Sequence, residues 1–462
     1  MNIEFALDPR VRDEVTQAHR RISERLHPEE RLRAYYSYFR ERFGPDRLRN
    51  LDGEALLRTM HGRAEGDSSL AYCIEFKNDD EFPAIFGSIR GGSAFKFGFY
   101  QRSGGGAWVS GGTRKSEEIS KDDAIQRARR QRDELVEGCR VLEEMRQAGG
   151  GTPTLADYAS LQERMQTAAP ALQNTAFGHK YFSLLFPDLL DDYHVAWYQT
   201  YHILRLLLPL PAGYEDRYAN AYALARVARE LGMPMNHLTT VLNEVHGDPR
   251  YHWQVPLDDE EPWANRGVFE GKGRLALGWK ALPDLSEEIR TTASVGELAK
   301  RLQALLPEVA PRRIRQFGNF VKGLGRRDLV LVTEGNTVVA IGEVIGPYEF
   351  DPELERGHLR PVQWLSRERW PLLAVELGAA DLCRTLTDRA NTFAAESQVL
   401  GLSRNGAPAR SADRPIAVAP RPLEDLTGIP KQIQTLLDRK GQVILFGPPG
   451  TGKTFWAMKA AR

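Results

Sequence analysis

The chain has 462 residues, enough for about three domains of ~150 residues each. With 42% apolar and 27% charged residues it can bury real cores, which excludes wholesale disorder. Lys plus Arg equals Asp plus Glu at 62 each, so no whole-chain field draws it to nucleic acid or membrane; any such affinity must come from local patches.

Cys73, Cys139 and Cys383 are odd in number and too widely spaced for a zinc knuckle, so each reads as a small buried hydrophobe in a reducing compartment. The densest apolar run, His202 to Leu208, is short and carries Arg205, which excludes a spanning helix. Met1-Asn2-Ile3-Glu4-Phe5 has neither the basic start nor the apolar stretch of a signal peptide. A cytoplasmic protein with no membrane partner is expected.

The expected fold class is α+β and multidomain. Residues 1–150 read as an α+β region: helices to about residue 65, then β-rich runs separated by Gly-rich turns. The runs are Tyr72 to Phe76, Ala84 to Phe86, Phe95 to Tyr100 and Ala107 to Val109, and they suggest an antiparallel sheet of three or four strands. Ser120 with Asp123 starts a helix whose apolar stripe is Ile125, Ala128, Leu135, Cys139 and Leu142. Gly149-Gly150-Gly151 closes that region. Residues 151–250 read as helical, cut short by Pro170, Pro187, Pro209 and Pro211. Strand-like runs return within 255–398, at Leu275 to Trp279, Leu329 to Val332 and Val338 to Val344. Residues 399–422, rich in Pro, Ala, Arg and Ser, read as a linker before a last segment, 423–462.

Within that segment the buried-type strand Val443-Ile444-Leu445-Phe446 runs directly into Gly447-Pro448-Pro449-Gly450-Thr451-Gly452-Lys453-Thr454, with a helix-compatible run after it. This matches G-x-x-x-x-G-K-[ST] in its required context. Glycines let backbone N–H groups curl around phosphate oxygens, Lys453 reaches the β- and γ-phosphates, and the Thr454 hydroxyl ligates Mg²⁺. The expected cofactor is Mg²⁺ with ATP or GTP. The wording of the loop resembles the Walker A loop of AAA+ ATPases, which implies a P-loop α/β module. The chain ends eight residues after Thr454, so Walker B, sensor and arginine-finger residues are expected beyond Arg462. This stretch alone is expected to hydrolyse neither nucleotide, and no catalytic residue is assigned within it.

The phrases Arg274 to Trp279, Phe317-Gly318-Asn319-Phe320, Asp328 to Val332, Ala340 to Tyr348 and Arg360-Pro361-Val362-Gln363-Trp364 resemble, in order, an EVE domain of the PUA-like group. The resemblance implies a small β-barrel-like reader of modified bases. A flipped base needs aromatic faces and a few hydrogen-bonding groups, for which Trp279 and Trp364, with Tyr348 and Phe350 behind them, are the candidates; each also reads as a core aromatic. Arg312, Arg313, Arg315, Lys322, Arg326 and Arg327 form a run of cations with no acid among them, interleaved with Phe317 and Phe320. It reads either as a solvated face or as a phosphate track.

A reader joined by a linker to an AAA+ module resembles the McrB-type NTPases of modification-dependent restriction systems. That implies a hexamer, modified DNA as ligand and an McrC-like nuclease as partner. The alternative is a remodelling ATPase whose PUA-like domain binds RNA or a protein. His179, His194 and His202 lack metal-ligand spacing and read as satisfied structural histidines. Arg127, Arg129, Arg130 and Arg132 read as part of a mixed-charge exposed face.

Overall fold

The computed structural model describes residues 6–62, 69–74, 98–102, 106–112, 115–148, 152–256, 273–277, 279, 282–354, 357–374 and 382–402. The chain divides into a unit of residues 1–409 and a unit of residues 410–462, and every described residue belongs to the first. The P-loop, the strand before it and most of the expected linker lie outside the described residues.

The N-terminal part is helical: α1 (Pro9–Arg21), α2 (Glu29–Phe43), α3 (Pro45–Arg49), α4 (Gly53–His61) and the single turn α5 (Leu70–Tyr72). Local chemistry starts several of them. Asp8 accepts from the Arg10 N–H ahead of α1, and Asp52 from the Gly53 N–H ahead of α4, each satisfying a donor the helix leaves open. The segment from Tyr72 to Ile74, expected as a strand, is helical instead. Ser69 Oγ accepts from Tyr72 N and nucleates the turn, and Leu70, Cys73 and Ile74 go into the core.

Strands β1 (Phe99–Gln101), β2 (Trp108–Gly112) and β3 (Lys115–Ile119) form the small antiparallel sheet. The expected runs at Ala84 to Phe86 and Phe95 to Phe97 lie outside the described residues. Helix α6 (Lys121–Ala148) follows, and Ser120 Oγ accepts from Asp123 N at 3.0 Å as its sequence suggests. Of its expected stripe, Ala128, Leu135, Cys139 and Leu142 are buried and Ile125 is half-buried, with Ala124 beside it taking the core position. The mixed-charge face is also as expected, with Arg129 bound to Asp52 through two hydrogen bonds.

The helical middle comprises α7 (Leu155–Ala168), α8 (Ala176–Leu185), α9 (Ala196–Arg205), α10 (Arg217–Leu231) and α11 (Met235–His246). One core runs from Leu7 through Leu242, so the helices on either side of residues 149–151 share a single apolar interior. Tyr181 donates to the Phe43 carbonyl at 2.8 Å, and Arg12 and Arg25 of the first segment pair with Glu230 and Glu244 of the second. A Cβ on Gly138 of α6 would meet the Phe182 ring of α8 at 2.4 Å, so only glycine lets these helices approach so closely.

The second sheet has eight strands: β4 (His252–Pro256), β5 (Arg274–Leu277), β6 (Leu329–Glu334), β7 (Thr337–Val344), β8 (Glu349–Phe350), β9 (His358–Ser366), β10 (Trp370–Pro371) and β11 (Arg384–Thr385). The order is β11-β4-β6-β7-β9-β5, with β10 on β7 and β8 on β9. Among the described strands only β4 and β6 run parallel. Strand β9 serves two neighbourhoods: its second half, from Val362, pairs with β7, while its first half pairs with β5 and β8. Switching partners along one strand curls the sheet into a half-barrel. Its concave side is filled by α12 (Ser286–Thr291), α13 (Val295–Leu305), α14 (Pro311–Gly318) and a π-turn, Asn319–Gly323. Helix α15 (Arg389–Val399) packs on the other side, with Ala394 and Ala395 against Leu329, Leu331 and Trp370.

All three cysteines are free and buried, as their sequence context suggests. No described helix is long and apolar enough to cross a membrane.

Candidate nucleic-acid interface

The curled sheet brings two of the four candidate base-facing aromatics, Tyr348 and Phe350, onto a residue that sequence reasoning missed, His358, and a third, Trp279, onto the Phe317 ring beside it. In the ladder His358 stands between Leu277 of β5 and Phe350 of β8. Trp279 follows Leu277 by two residues, and Tyr348 precedes Phe350 by two. The His358 ring lies 5.2 Å from that of Phe350, 5.9 Å from Tyr348 and 5.1 Å, edge-on, from Phe317. Trp279 meets the same Phe317 edge-on at 5.2 Å.

Two polar groups sit within this aromatic cluster. Tyr348 Oη and His358 Nδ1 are 2.8 Å apart, and Tyr348 Oη accepts from the Leu285 N–H at 3.2 Å. The other ring nitrogen, His358 Nε2, is buried without a hydrogen-bond partner. Burial pushes the imidazole pKa down to about 4, opposed by the charge of Asp284, so the ring is neutral at pH 7. A neutral imidazole with one nitrogen engaged leaves the second able to bind the edge of a planar heterocycle.

Trp364 lies elsewhere. It is six residues beyond His358 on β9, about 20 Å along an extended strand. It pairs with Gly342 of β7, where an added Cβ would meet its ring at 2.9 Å. The Arg367 guanidinium stands over the ring at 5.0 Å from its centroid. Trp364 is therefore packed between a glycine backbone and an arginine, outside the His358 cluster.

The cationic run divides as well. Helix α14 turns Ile314, Phe317 and Gly318 inward, and Arg312 and Arg315 face out. Phe317 and Phe320, interleaved in sequence with the cations, are fully buried, because the helical period brings them to the core side. Lys322 is turned back by the π-turn and donates from Nζ to the Ile289 carbonyl at 2.7 Å. Arg327, held at φ 75°, donates to the His246 carbonyl at 2.9 Å. Arg313 is half-buried, and Arg326 is exposed. The exposed cations of the run are thus Arg312, Arg315, Arg326 and Arg327, the last of them bound to the His246 carbonyl.

Arg360, also missed, ties this segment to the strand. It lies on the same face of β9 as His358 and is buried, donating to the carbonyls of Val321 and Leu324. Burial pulls its pKa down to about 10 against the opposing effects of Cys383 and Asp328. The signal for both missed residues was the period-two set His358, Arg360, Val362 and Trp364, which shares one face of a strand. Gly447, Pro448, Pro449, Gly450, Thr451, Gly452, Lys453 and Thr454 lie outside the described residues. Among the described residues no cluster of His, Cys, Asp or Glu could hold a metal.

A family described as a domain of unknown function (DUF8426) matches residues 253–385, which span the curled sheet and the helices on its concave side. No curated protein and no solved structure matches the chain.

Proposed function

We propose that residues 255–398 form a reader of nucleic acid that accepts a base lifted out of a DNA duplex, one carrying a modification, in the manner of an EVE or PUA-like domain. The observation that carries this reading is the convergence of Tyr348 and Phe350 on His358, whose buried Nε2 lacks a partner, with Trp279 packed on the Phe317 ring that His358 also touches. Aromatic faces recover stacking for an extruded base, and a lone buried ring nitrogen supplies a hydrogen bond for its edge. Arg312, Arg315 and Arg326 supply the phosphate contacts that hold the duplex in place.

The Gly447 to Thr454 sequence supports a second role, binding of ATP or GTP with Mg²⁺ by an AAA+ module, Lys453 taking the phosphates and Thr454 the metal. Together the two suit an McrB-type NTPase, a hexamer that couples recognition of modified DNA to a separate McrC-like nuclease. The test is equilibrium binding of the purified chain to duplexes that differ in one methylated or hydroxymethylated base, with single-stranded RNA of the same sequence alongside. A preference of roughly ten- to two-hundredfold for the modified duplex is expected, since one methylene-sized group is worth ~1–3 kcal/mol. Equal affinity for both duplexes, or tighter binding of RNA, overturns the reading.

A further inference from the structure

A pocket of about 290 Å³ lies on the helical side of the molecule, away from the His358 cluster, where α8, α9 and α10 meet the start of α15. Arg217, the first residue of α10, lines it and is only 2% exposed. Its two terminal nitrogens donate to the carbonyls of Thr175 and His194, at 3.3 and 2.9 Å. Its Nε has no partner, and among the described residues it forms no ion pair. Asp191 and Glu215 act on this charge only from beyond ion-pair distance, and a buried guanidinium whose contacts are carbonyls alone is an arrangement that favours a bound anion.

Two further features face the same space. Helix α9 begins at Val195, whose aliphatic side chain cannot cap it, so the helix turns its open N–H end and positive dipole toward the pocket. Arg389, the first residue of α15, reaches in from the far side and rests over the Trp197 ring at 5.2 Å from its centroid. Tyr214 and Glu215 complete the mouth.

From this arrangement we infer that the pocket binds a small phosphate monoester, with the phosphate between Arg217, Arg389 and the N-terminus of α9. Two arginines and a helix N-terminus match a doubly charged tetrahedral anion. The volume is near the lower end of the range for small-molecule sites, ~300–1,000 Å³, and leaves room for an organic group against Trp197 and Tyr214. Glu215, exposed at the mouth, can accept from a hydroxyl of that group.

The test is calorimetric titration of the chain carrying Lys453→Ala, so that the P-loop cannot account for phosphate binding. Inorganic phosphate, a nucleoside 5′-monophosphate, the parent nucleoside and a hexose 6-phosphate are compared. One site is expected that takes a monoester more tightly than phosphate and ignores the nucleoside; the two monoesters show whether the organic group is a nucleoside or a sugar. Arg389→Gln and Trp197→Leu, both at the half-buried rim, should each weaken binding roughly ten- to hundredfold with an unchanged melting temperature. Arg217→Lys serves as a second probe of the floor. No heat with any phosphate compound, or binding that survives Arg389→Gln and Trp197→Leu undiminished, overturns the assignment.

Discussion

Arg250 and Glu396 lie 146 positions apart and form a two-pronged ion pair in the interior, Nε to Oε1 at 2.8 Å and Nη2 to Oε2 at 3.0 Å. His252 Nε2 meets the same carboxylate at 3.0 Å, Arg205 of α9 reaches it at 3.4 Å, and Arg250 also holds Glu343 of β7. One carboxylate thus joins the helical part, the curled sheet and α15. Burial opposes its ionisation, but Arg250, His252 and Arg205 together hold its pKa well below the ordinary carboxylate value.

Glu396→Gln should therefore destabilise the chain by ~3 kcal/mol in urea denaturation at pH 7, because Arg250 stays buried with only the partly exposed Glu343 to balance it. The sign with pH follows from the depressed folded-state pKa. The stabilisation is fully present above the unfolded value of 4.5 and is lost as pH falls below it. The variant should lack that acid-side loss; an equally steep fall would place the titrating group elsewhere.

His202 and His246 face each other through Nδ1 at 3.2 Å, and Tyr193 stacks on His202 at 4.7 Å. Burial pulls both imidazoles down to about 3, with Arg205 acting in the same direction. They are neutral in the folded chain, whereas the unfolded chain takes up protons below pH 6.5. Stability should fall as pH drops from 6.5 toward 3, by up to ~1.4 kcal/mol per pH unit for each histidine. His202→Gln should reduce the slope of unfolding free energy between pH 4.5 and 6.5 by about one proton.

Trp279 and Trp364 should separate by readout. Trp279→Ala should remove most of the preference for a modified base, since one stacked base is worth ~1–3 kcal/mol. Trp364→Ala should leave the preference intact and lower stability by ~3 kcal/mol, because it opens a gap over Gly342. Parallel binding and melting curves decide. Loss of preference in Trp364→Ala alone would move the reading surface to the other half of β9.

On the cationic segment, replacing Arg315 and Arg326 together with Gln should reduce the salt slope of duplex binding by about two, the ~0.9 per phosphate contact doubled. Lys322→Gln should leave the slope unchanged and cost ~1 kcal/mol of stability through its lost bond to Ile289. The same slope in the Arg315/Arg326 variant as in the parent chain would make this face merely solvated.

The strands at Leu275, Leu329 and Val338, the Ser120 helix start and the stripe of α6 were legible because each is settled within a few residues. A cap needs one side chain and one N–H three positions on, and a buried strand needs only a short apolar run. The Tyr72 to Ile74 turn was not, since its β-prone residues gave way to the Ser69 cap and to burial against the helical core. The aromatics at 279, 348 and 350 could be named individually, but their convergence depended on β9 pairing with both β8, whose residues lie close by in sequence, and β5, whose partners lie more than 80 positions away. Lys322 read from the sequence as one of a run of cations interleaved with Phe317; the backbone path through α14 and the π-turn put both to internal use. That Arg217 meets carbonyls and no carboxylate at ion-pair distance is a property of three-dimensional surroundings alone. Local pattern sets where helices and strands begin, whereas which polar groups find partners is decided by which distant segments pack together, because the cost of an unpaired buried group is felt only when the chain has closed around it.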